Sequence, residues 1–540
     1  MIENALNLAY TYLSANYDTN EVANMCGAMR VIARKPDFEF NLLREPRASS
    51  YDRVQDMLSK LNEKESIRKK KGVYYTPTDL VNFILTNCVK SIYGKLGPDN
   101  ISSTDLGQIP YRSFAKKKTV FDPTCGAGEF LLAAANLKYA LWTEHGGLTS
   151  ASAIDIISTV KGNDINEESV IISKLRLFLC VIRWCRRMDC VSLANRLNAN
   201  FTTYDFVAGK PLLEERFHII VGNPPYVEDS KSGLTPDIRY GNIYANVLKN
   251  ASDKLETNGS MGFVIPLSYI STPRMKRIRD DLLTALPEQY ILSYADRPDC
   301  LFDSVHQKLC VLIGKNKKGK ARLYTSNYQY WYKDERETLF SNAKVIQNQY
   351  LMDDFIPKLG NELDAIIFEK ILAPKRNISV YDNSRHGTES VYLNRRETFW
   401  MKAYRTFVED QEYKVFSYNT PGEADYCYCL IHSSLFWWYW ISVSDCWHVS
   451  KELNGFKAPV ITDYEAVTEM ANALRERLEA TKVFVGTRQT EYEYKHKACL
   501  KEIHAIDDFV NAVFLLSEEE STYIKEFAFR YRTSGGTDEL

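Results

Sequence analysis

Short β-rich segments alternate with longer amphipathic segments from about residue 73 to residue 317. This alternation is typical of a parallel β-sheet with helices packed on its faces. The longer segments predict helices, for example at 129–142 and 166–187. The short segments predict strands at 119–122, 160–165, 201–206, 218–221, 261–265, 291–294 and 309–313. The sequence therefore predicts an α/β fold built on a Rossmann-like sheet.

The last two predicted strands differ from the others in how they are connected. Only about a dozen residues separate them, too few for a helix that packs on the sheet. We therefore predict that they form an antiparallel hairpin at the edge of the sheet.

The chain has 540 residues, which is too long for a single hydrophobic core, so we expect more than one domain. The charged, glycine-containing segment KNKKGK at 315–320 is the predicted linker, because tyrosine and tryptophan become dense after it. The dense aromatic run LFWWYWI at 435–441 is interpreted as core. The predicted parts are a helical segment at 1–70 with a basic stretch at 64–71, the sheet domain at 71–317, an α+β region at 321–463, helices at 464–532 and a disordered tail at 533–540.

The overall composition excludes several classes of protein. The net charge is −1, so any binding to nucleic acid must come from a locally basic cleft. The twelve cysteines include no C-x-x-C pair, and we expect neither a metal site nor disulfides. No apolar run is long enough to cross a membrane, and the first residues do not resemble a secretion signal. We expect a cytoplasmic protein.

The segment DPTCGAGEF at 122–130 predicts a strand, a glycine turn and the start of a helix. Gly126 and Gly128 let the backbone approach a ligand closely, because a side chain at either position would occupy the ligand's space. Position 131 is Leu, so the third glycine of the dinucleotide-binding fingerprint is absent. A tight turn without a ligand remains the alternative interpretation of this motif alone.

Acidic residues stand at the ends of three successive predicted strands: Asp122, Asp164 in GNDIN and Asp205 in TTYDFV. Asp164 is suited to accept hydrogen bonds from both hydroxyls of a ribose, and Asp205 from the amine of an adenine. Each acid alone is more often a helix cap or a solvated strand end. Together they favour a ligand that contains an amino group, a ribose and a base.

The fourth predicted strand runs into GNPPY at 222–226. An aromatic exocyclic amine is a poor nucleophile because its lone pair is delocalised into the ring. The Asn223 carboxamide oxygen and the Pro224 carbonyl can each accept a hydrogen bond from such an amine and free its lone pair for methyl transfer. Pro225 keeps the loop rigid, and Tyr226 is suited to stack on the ring. A stiff turn is the alternative for Asn-Pro-Pro alone.

The order of GVYYTP at 72–77, DPTCGAGEF, GNDIN, YDF and GNPPY resembles the gamma-class adenine amino-methyltransferases of bacterial restriction–modification systems. The segment at 242–266 is also similar to the family's next stretch, and the resemblance covers about 73–315. It implies a Rossmann-like methyltransferase sheet, S-adenosylmethionine as the cofactor, and transfer of its methyl group to the amine of a flipped-out adenine in double-stranded DNA. It also implies a C-terminal target-recognition domain and a cognate restriction endonuclease as a further partner.

The resemblance assigns residues to the two halves of the site. Catalysis falls to Asn223, Pro224, Pro225 and Tyr226. The residues expected to bind the cofactor are Tyr75, Thr76, Pro77, Asp122, Cys125, Gly126, Gly128, Asp164, Ile165, Asp205, Phe206 and Asn223. The residues expected to contact the substrate are Tyr226, Phe302, His448, Ser450 and Lys451.

Two further segments are candidates for a role with DNA. RMKRIR at 274–279 is a candidate phosphate-binding patch, although such a helix is more often a solvated face. The polar loop at 227–240, which follows the catalytic motif, is expected to close over the flipped base.

Several other functions compete with this interpretation. Enzymes that methylate RNA, or a glutamine amide in a protein, use the same arrangement of two acceptors, and the amine of cytosine remains a possible acceptor. A modification subunit that requires a separate specificity protein is a second alternative. A fused restriction enzyme fits the sequence less well, because about 70 N-terminal residues are too few for a nuclease domain and show no metal-binding cluster of carboxylates. A non-catalytic DNA-binding module also fits less well, because it does not require GNPPY together with three acids.

Overall fold

The structure, a computed structural model, describes residues 1–61, 75–208, 215–302, 306–373, 377–379, 387–407, 412–449, 455–487 and 490–533. The predicted basic stretch at 64–71 and residues 534–540 of the predicted tail lie outside the described residues. Thr533 belongs to the last helix.

One mixed sheet organises most of these residues. Its nine strands follow the spatial order β3-β2-β1-β4-β5-β7-β6-β8-β9. The strands are β1 (Val120–Asp122), β2 (Val160–Asn163), β3 (Phe201–Thr202), β4 (Phe217–Gly222), β5 (Leu255–Pro266), β6 (Glu288–Tyr294), β7 (Leu309–Lys315), β8 (Arg322–Gln329) and β9 (Ile346–Asn348). The five strands from β3 to β5 are parallel to one another, whereas β7 is antiparallel to both β5 and β6. The predicted α/β sheet with an antiparallel pair is confirmed.

The central strands are almost continuously buried, as expected for a sheet with both faces covered. In β4, the segment FHIIVG is buried apart from His218. Helix α4 packs on β4, β5 and β7, and α11 packs on β5. The carboxyl ends of the parallel strands β1, β2 and β4 therefore lie side by side at one edge of the buried sheet.

The predictions and the observed strands differ in three places. Strand β3 contains only Phe201 and Thr202, so the predicted strand at 201–206 is too long. The pair β6–β7 is antiparallel as predicted, but β8 and β9 extend the sheet beyond it. The predicted linker at 315–320 is accordingly the connection between two strands of the same sheet.

Helices surround the sheet and form the N-terminal segment. They are α1 (Ile2–Asn16), α2 (Thr19–Ala33), α3 (Tyr51–Lys60), α4 (Thr78–Ile92), α5 (Tyr111–Lys117), α6 (Glu129–Thr143), α7 (Ser150–Ile157), α8 (Glu167–Trp184), α9 (Cys190–Asn200), α10 (Asp229–Ser232), α11 (Ile243–Asp253), α12 (Ser268–Ser271) and α13 (Lys276–Ala285). The helices predicted at 129–142 and 166–187 correspond to α6 and α8. The N-terminal helices α1, α2 and α3 pack on α8 and α9 and share a hydrophobic core with them.

The C-terminal part mixes helices with short strands. Its helices are α14 (Glu362–Leu372), α15 (Pro421–His432), α16 (Ser434–Val443), α17 (Glu465–Thr481), α18 (Leu500–Val513), α19 (Glu518–Glu526) and α20 (Phe529–Thr533). Its strands are β10 (Asn377–Ser379), β11 (Glu389–Asn394), β12 (Ala403–Tyr404), β13 (Tyr413–Tyr418), β14 (Lys457–Pro459), β15 (Val483–Thr487) and β16 (Thr490–Glu493). The hairpin β15–β16 interrupts the region predicted to be helical at 464–532. The aromatic run at 435–441 is buried, as predicted.

Three general features bear on function. All twelve cysteines are buried free thiols. Among the described residues, no helix combines the length and the apolar character needed to cross a bilayer. The same residues contain no group of three or more His, Cys, Asp or Glu side chains arranged to hold a metal ion.

Candidate active site

A cavity of about 510 Å³ lies at the carboxyl ends of β1, β2 and β4. Ligands of open α/β sheets bind at this edge, and the volume is within the range of small-molecule sites. The predicted site residues that line it are Tyr75, Thr76, Asp122, Cys125, Gly126, Asp164, Ile165, Asp205, Phe206, Asn223 and Pro225. Segments far apart in the sequence therefore meet around one space.

The two glycines of the turn after β1 have different surroundings. Gly126 lines the cavity with φ +50°, and a Cβ there would meet nothing within 4 Å. Gly128 has φ +87°, and a Cβ there would lie 2.2 Å from the Ser173 hydroxyl oxygen on α8. The prediction that a side chain at Gly128 would occupy the ligand's space is therefore wrong, because Gly128 permits close packing of the turn on α8.

Asp164 and Asp205, which line the cavity together with Asp122, are held by backbone amides. The carboxylate of Asp164 accepts hydrogen bonds from the Gly126 N–H at 2.9 Å and the Asn166 N–H at 2.8 Å. The Asp205 carboxylate accepts one from the Val207 N–H at 2.9 Å. These bonds fix the direction of both carboxylates, which is what recognition of a polar ligand requires.

Asp122 is the most buried of the three acids and lies against Gly222 of GNPPY. It is only 2% exposed, and its carboxylate accepts a hydrogen bond from the Thr124 N–H at 3.0 Å. Burial raises the pKa of the Asp122 carboxyl well above its usual range. A Cβ at Gly222 would lie 2.9 Å from an Asp122 carboxylate oxygen, so the first residue of GNPPY must be glycine to pack there.

Apolar side chains supply the rest of the wall. Ile165 is 60% exposed although it is large and apolar, and it lines the cavity beside Asp164. Phe206 lines the cavity from the segment after β3. An exposed apolar side chain within a cavity is typical of a site whose ligand covers it.

The GNPPY motif is joined to the segment that precedes α4. The Asn223 side-chain N–H donates to the Thr76 hydroxyl oxygen at 3.2 Å, across 147 residues of sequence. The Tyr226 hydroxyl donates to the Asn223 carboxamide oxygen at 2.6 Å and lies 3.0 Å from the Val264 carbonyl oxygen on β5. Both the nitrogen and the oxygen of the Asn223 carboxamide are therefore held. The sequence did not predict that the Tyr226 hydroxyl would bind the carboxamide oxygen.

Not every predicted site residue lines the cavity. Pro224 is buried, and Tyr226 contributes its hydroxyl to Asn223 as described. Pro77 is the N-cap of α4, and its carbonyl accepts the Val81 N–H at 3.0 Å. Pro77 and Gly128 therefore shape elements that border the cavity.

A buried network that the sequence analysis missed supports the glycine turn. Arg176 on α8 pairs with the Glu129 carboxylate and donates to the Ala127 carbonyl at 2.8 Å. Gln55 on α3 exchanges two hydrogen bonds of 3.0 Å with Arg176. Glu129 belongs to DPTCGAGEF and could have been singled out, whereas nothing in the sequence identifies Gln55.

The loop that follows GNPPY lines one side of the cavity. Val227, Lys231, Ser232 and Leu234 line it, two of them from α10. The Asp229 carboxylate accepts the Gly241 N–H at 2.7 Å and so joins the two ends of the loop.

The predicted substrate contacts have different outcomes. Phe302 is 1% exposed and packs in the core, so its ring is not presented to the cavity. His448 is exposed, whereas Ser450 and Lys451 lie outside the described residues. In the candidate patch at 274–279, Arg279 is buried and donates to the Tyr269 carbonyl at 2.9 Å and to the Thr272 carbonyl at 2.8 Å. Arg279 therefore stabilises the fold and cannot contact phosphate.

Comparison with known proteins agrees with this geometry. The profile of the N-6 DNA Methylase family matches residues 55–358. A protein of Methanocaldococcus jannaschii named as a type II restriction enzyme and methyltransferase is 25% identical over 150 residues, which are 26% of this chain and 12% of that protein. The chain thus spans a small part of the length of the curated relative that it matches.

The type IIL restriction–modification enzyme MmeI, solved in complex with DNA, has a similar fold. It matches with a TM-score of 0.50 and 12% identity over 92% of this chain and 83% of that chain. The family profile covers more than half of the sequence, from α3 to beyond β9. The chain belongs to the N-6 DNA methylase family.

Proposed function

We propose that the chain is a site-specific DNA methyltransferase that acts on the exocyclic amine of adenine, as the modification enzyme of a restriction–modification system. The observation that supports this most directly is that Asn223 shares one cavity with Asp164, Asp205 and Ile165. A carboxamide acceptor for an amine thus lies beside a set of side chains that suits an adenosine-containing cofactor. The order of the motifs supports the gamma class.

The residues of the cavity fit S-adenosylmethionine. Asp164 is suited to the ribose hydroxyls and Asp205 to the adenine amine, while Ile165 and Phe206 offer apolar surface to the base. Gly126 leaves open space at the glycine turn. When bound, this cofactor supplies a methyl group activated by a sulfonium.

The chain's own residues would prepare the acceptor. The Asn223 carboxamide oxygen and the Pro224 carbonyl accept hydrogen bonds from the amine and draw it toward tetrahedral geometry. Thr76 and the Tyr226 hydroxyl hold the carboxamide in one orientation, so little reorganisation is needed when the base arrives. The Tyr226 ring would stack on the flipped base, and the loop at 227–240 would exclude water.

The remaining assignments follow from this function. We assign methyl transfer to residues 71–317 together with strands β8 and β9 of the same sheet, and target recognition to the remainder of 321–463. Double-stranded DNA is the proposed substrate and a cognate endonuclease a further partner. Among the predicted DNA contacts that the structure describes, His448 is exposed and is therefore proposed to contact DNA.

Methyl transfer from labelled S-adenosylmethionine to duplex DNA, with RNA and protein as parallel acceptors, tests the proposal. We expect N6-methyladenine in DNA only, and sequencing of DNA from cells that express the chain should identify the site. Label in RNA or protein instead of DNA would contradict the proposal. Activity that requires an added specificity protein would favour the subunit alternative.

Replacement of Asn223 by Ala tests the catalytic half separately. Loss of one preorganised group at a reacting centre typically lowers the rate by about 10²- to 10³-fold, and we expect at least that loss of methyl transfer. Binding of S-adenosylhomocysteine, measured by calorimetry, should change little, because Asp164 and Asp205 remain. A fully active Asn223→Ala enzyme would remove Asn223 from the mechanism.

A further inference from the structure

Trp447 is an exposed aromatic side chain that packs against the ammonium of Lys308. It lies in the loop after α16 and is 45% exposed, whereas the other seven tryptophans are buried or half-buried. The Lys308 ammonium lies 3.6 Å from the centroid of its ring. That ammonium is also 3.5 Å from the Asp296 carboxylate, and the side chains of Lys308 and Asp296 are only 11% and 6% exposed. A nearly buried ion pair thus holds one face of the indole.

The position of Lys308 connects this surface with the catalytic motif. The Lys308 carbonyl accepts the Leu267 N–H at 3.0 Å, at the point where β5 pairs with the start of β7. Three residues before Leu267, the Val264 carbonyl contacts the Tyr226 hydroxyl. Trp447 therefore lies at the same end of the sheet as GNPPY.

Hydrogen bonds that do not involve the indole ring hold the loop that carries Trp447. The Cys446 N–H donates to the Ser444 hydroxyl at 3.1 Å, and the Trp447 N–H donates to the Asp445 carboxylate at 3.1 Å. The Val449 N–H donates to the Arg395 carbonyl at 2.9 Å. Lys308 covers one face of the ring, but among the residues that the structure describes neither the loop nor the ion pair accounts for the part of the indole that remains exposed to water.

We propose that Trp447 is a DNA-contacting residue that stacks on a base next to the site from which the target adenine is extruded. This inference rests on the proposed function. A rigid aromatic ring backed by a cation is suited to stacking, and every base offers a π-face to it. Removal of a base from the helix exposes the faces of its neighbours, which is where such a ring can bind.

The test compares Trp447→Ala and Trp447→Phe with Phe484→Ala. Phe484 is 63% exposed on the hairpin β15–β16 and serves as the matched control. Binding is measured by fluorescence anisotropy with a labelled duplex that contains the site methylated in expressing cells, in the presence of S-adenosylhomocysteine. Trp447→Ala should bind about 5- to 150-fold more weakly, and Trp447→Phe should stay within about threefold of the wild type. Phe484→Ala should be unchanged.

Salt dependence and cofactor binding separate stacking from other causes. The dissociation constants of Trp447→Ala and of the wild type for the duplex are compared at low and at high salt. Loss of a stacked ring should leave their ratio similar at both salt concentrations, whereas loss of a phosphate contact would change it. Trp447→Ala should bind S-adenosylhomocysteine as the wild type does. If Trp447→Ala binds the duplex as tightly as the wild type, or loses cofactor binding in parallel, the inference is wrong while the proposed function stands. If expressing cells contain no methylated site, the proposed function fails first and the inference fails with it.

Discussion

Gly126 and Gly128 stand two residues apart in one turn, and the structure predicts that replacing them has different consequences. Both have positive φ, so alanine at either position costs about 1–2 kcal/mol in backbone conformation. At Gly128 the new Cβ also collides with Ser173, and such overpacking adds about 1–3 kcal/mol. We expect Gly128→Ala to lower the free energy of unfolding by about 2–5 kcal/mol.

Gly126→Ala is the matched comparison. Its Cβ meets no protein atom within 4 Å and faces the cavity, so stability should fall only by the backbone cost. The affinity for S-adenosylhomocysteine should fall instead by about tenfold, which corresponds to about 1.4 kcal/mol of lost contact. Urea unfolding and calorimetry measure the two quantities. If Gly126→Ala and Gly128→Ala changed the free energy of unfolding equally and the affinity for S-adenosylhomocysteine equally, the different roles of the two glycines would be contradicted.

Helix α20 is attached to the core of the C-terminal part through Arg532. Its guanidinium carbon lies 4.1 Å from the ring centroids of both Trp400 and Trp437, and its Nε–H donates to the Phe399 carbonyl at 3.0 Å. Burial lowers the pKa of Arg532 to about 10. A planar guanidinium suits a site between two rings better than an ammonium does.

We expect Arg532→Ala to lower the free energy of unfolding by about 3 kcal/mol or more, because it removes two desolvated cation–π contacts and leaves a cavity. Arg532→Lys should have an intermediate effect. Arg530 on the same helix is the control: its side chain is 64% exposed and pairs with Glu335, so Arg530→Ala should change stability by less than about 0.5 kcal/mol. Urea unfolding followed by circular dichroism decides between these outcomes. Similar effects at both arginines would show that the two cation–π contacts of Arg532 add no stability.

The C-terminal part and the large sheet share strand pairing, hydrogen bonds and one hydrophobic core. Strand β8 pairs with β6 along most of its length, and the Ile356 N–H donates to the Ile270 carbonyl at 2.8 Å. The Lys358 N–H donates to the Ser442 carbonyl at 2.8 Å on α16. One hydrophobic core runs from α4 to α19 without a break.

We therefore expect a fragment of residues 1–320 to aggregate or to fail to bind S-adenosylhomocysteine. Such a fragment exposes the edge of β6 and a large part of the shared core, and an unprotected strand edge promotes aggregation. Size-exclusion chromatography and calorimetry test this expectation against the full chain. A monomeric fragment that binds the ligand with nearly normal affinity would show that the catalytic domain is autonomous.

The sequence was sufficient to predict most of the catalytic sheet and much of the cavity. Glycine turns and acids at strand ends are local signals, so Gly126, Asp164 and Asp205 can be identified from the sequence alone. Strands β8 and β9 and the hairpin β15–β16 were missed. Their short segments carry no distinctive period, and β8 acquires its place only by pairing with β6.

What the sequence alone determined is the chemistry available in each short segment: a glycine turn, three acids at strand ends, and the carboxamide of GNPPY. The tertiary structure alone decided which of these groups meet. It joined Asn223 to Thr76, placed Gln55 against Arg176, buried Phe302 and Arg279, and set Trp447 on Lys308. The physical reason is that residue type and spacing control local backbone geometry, whereas contacts between distant segments depend on how the elements pack around a shared core.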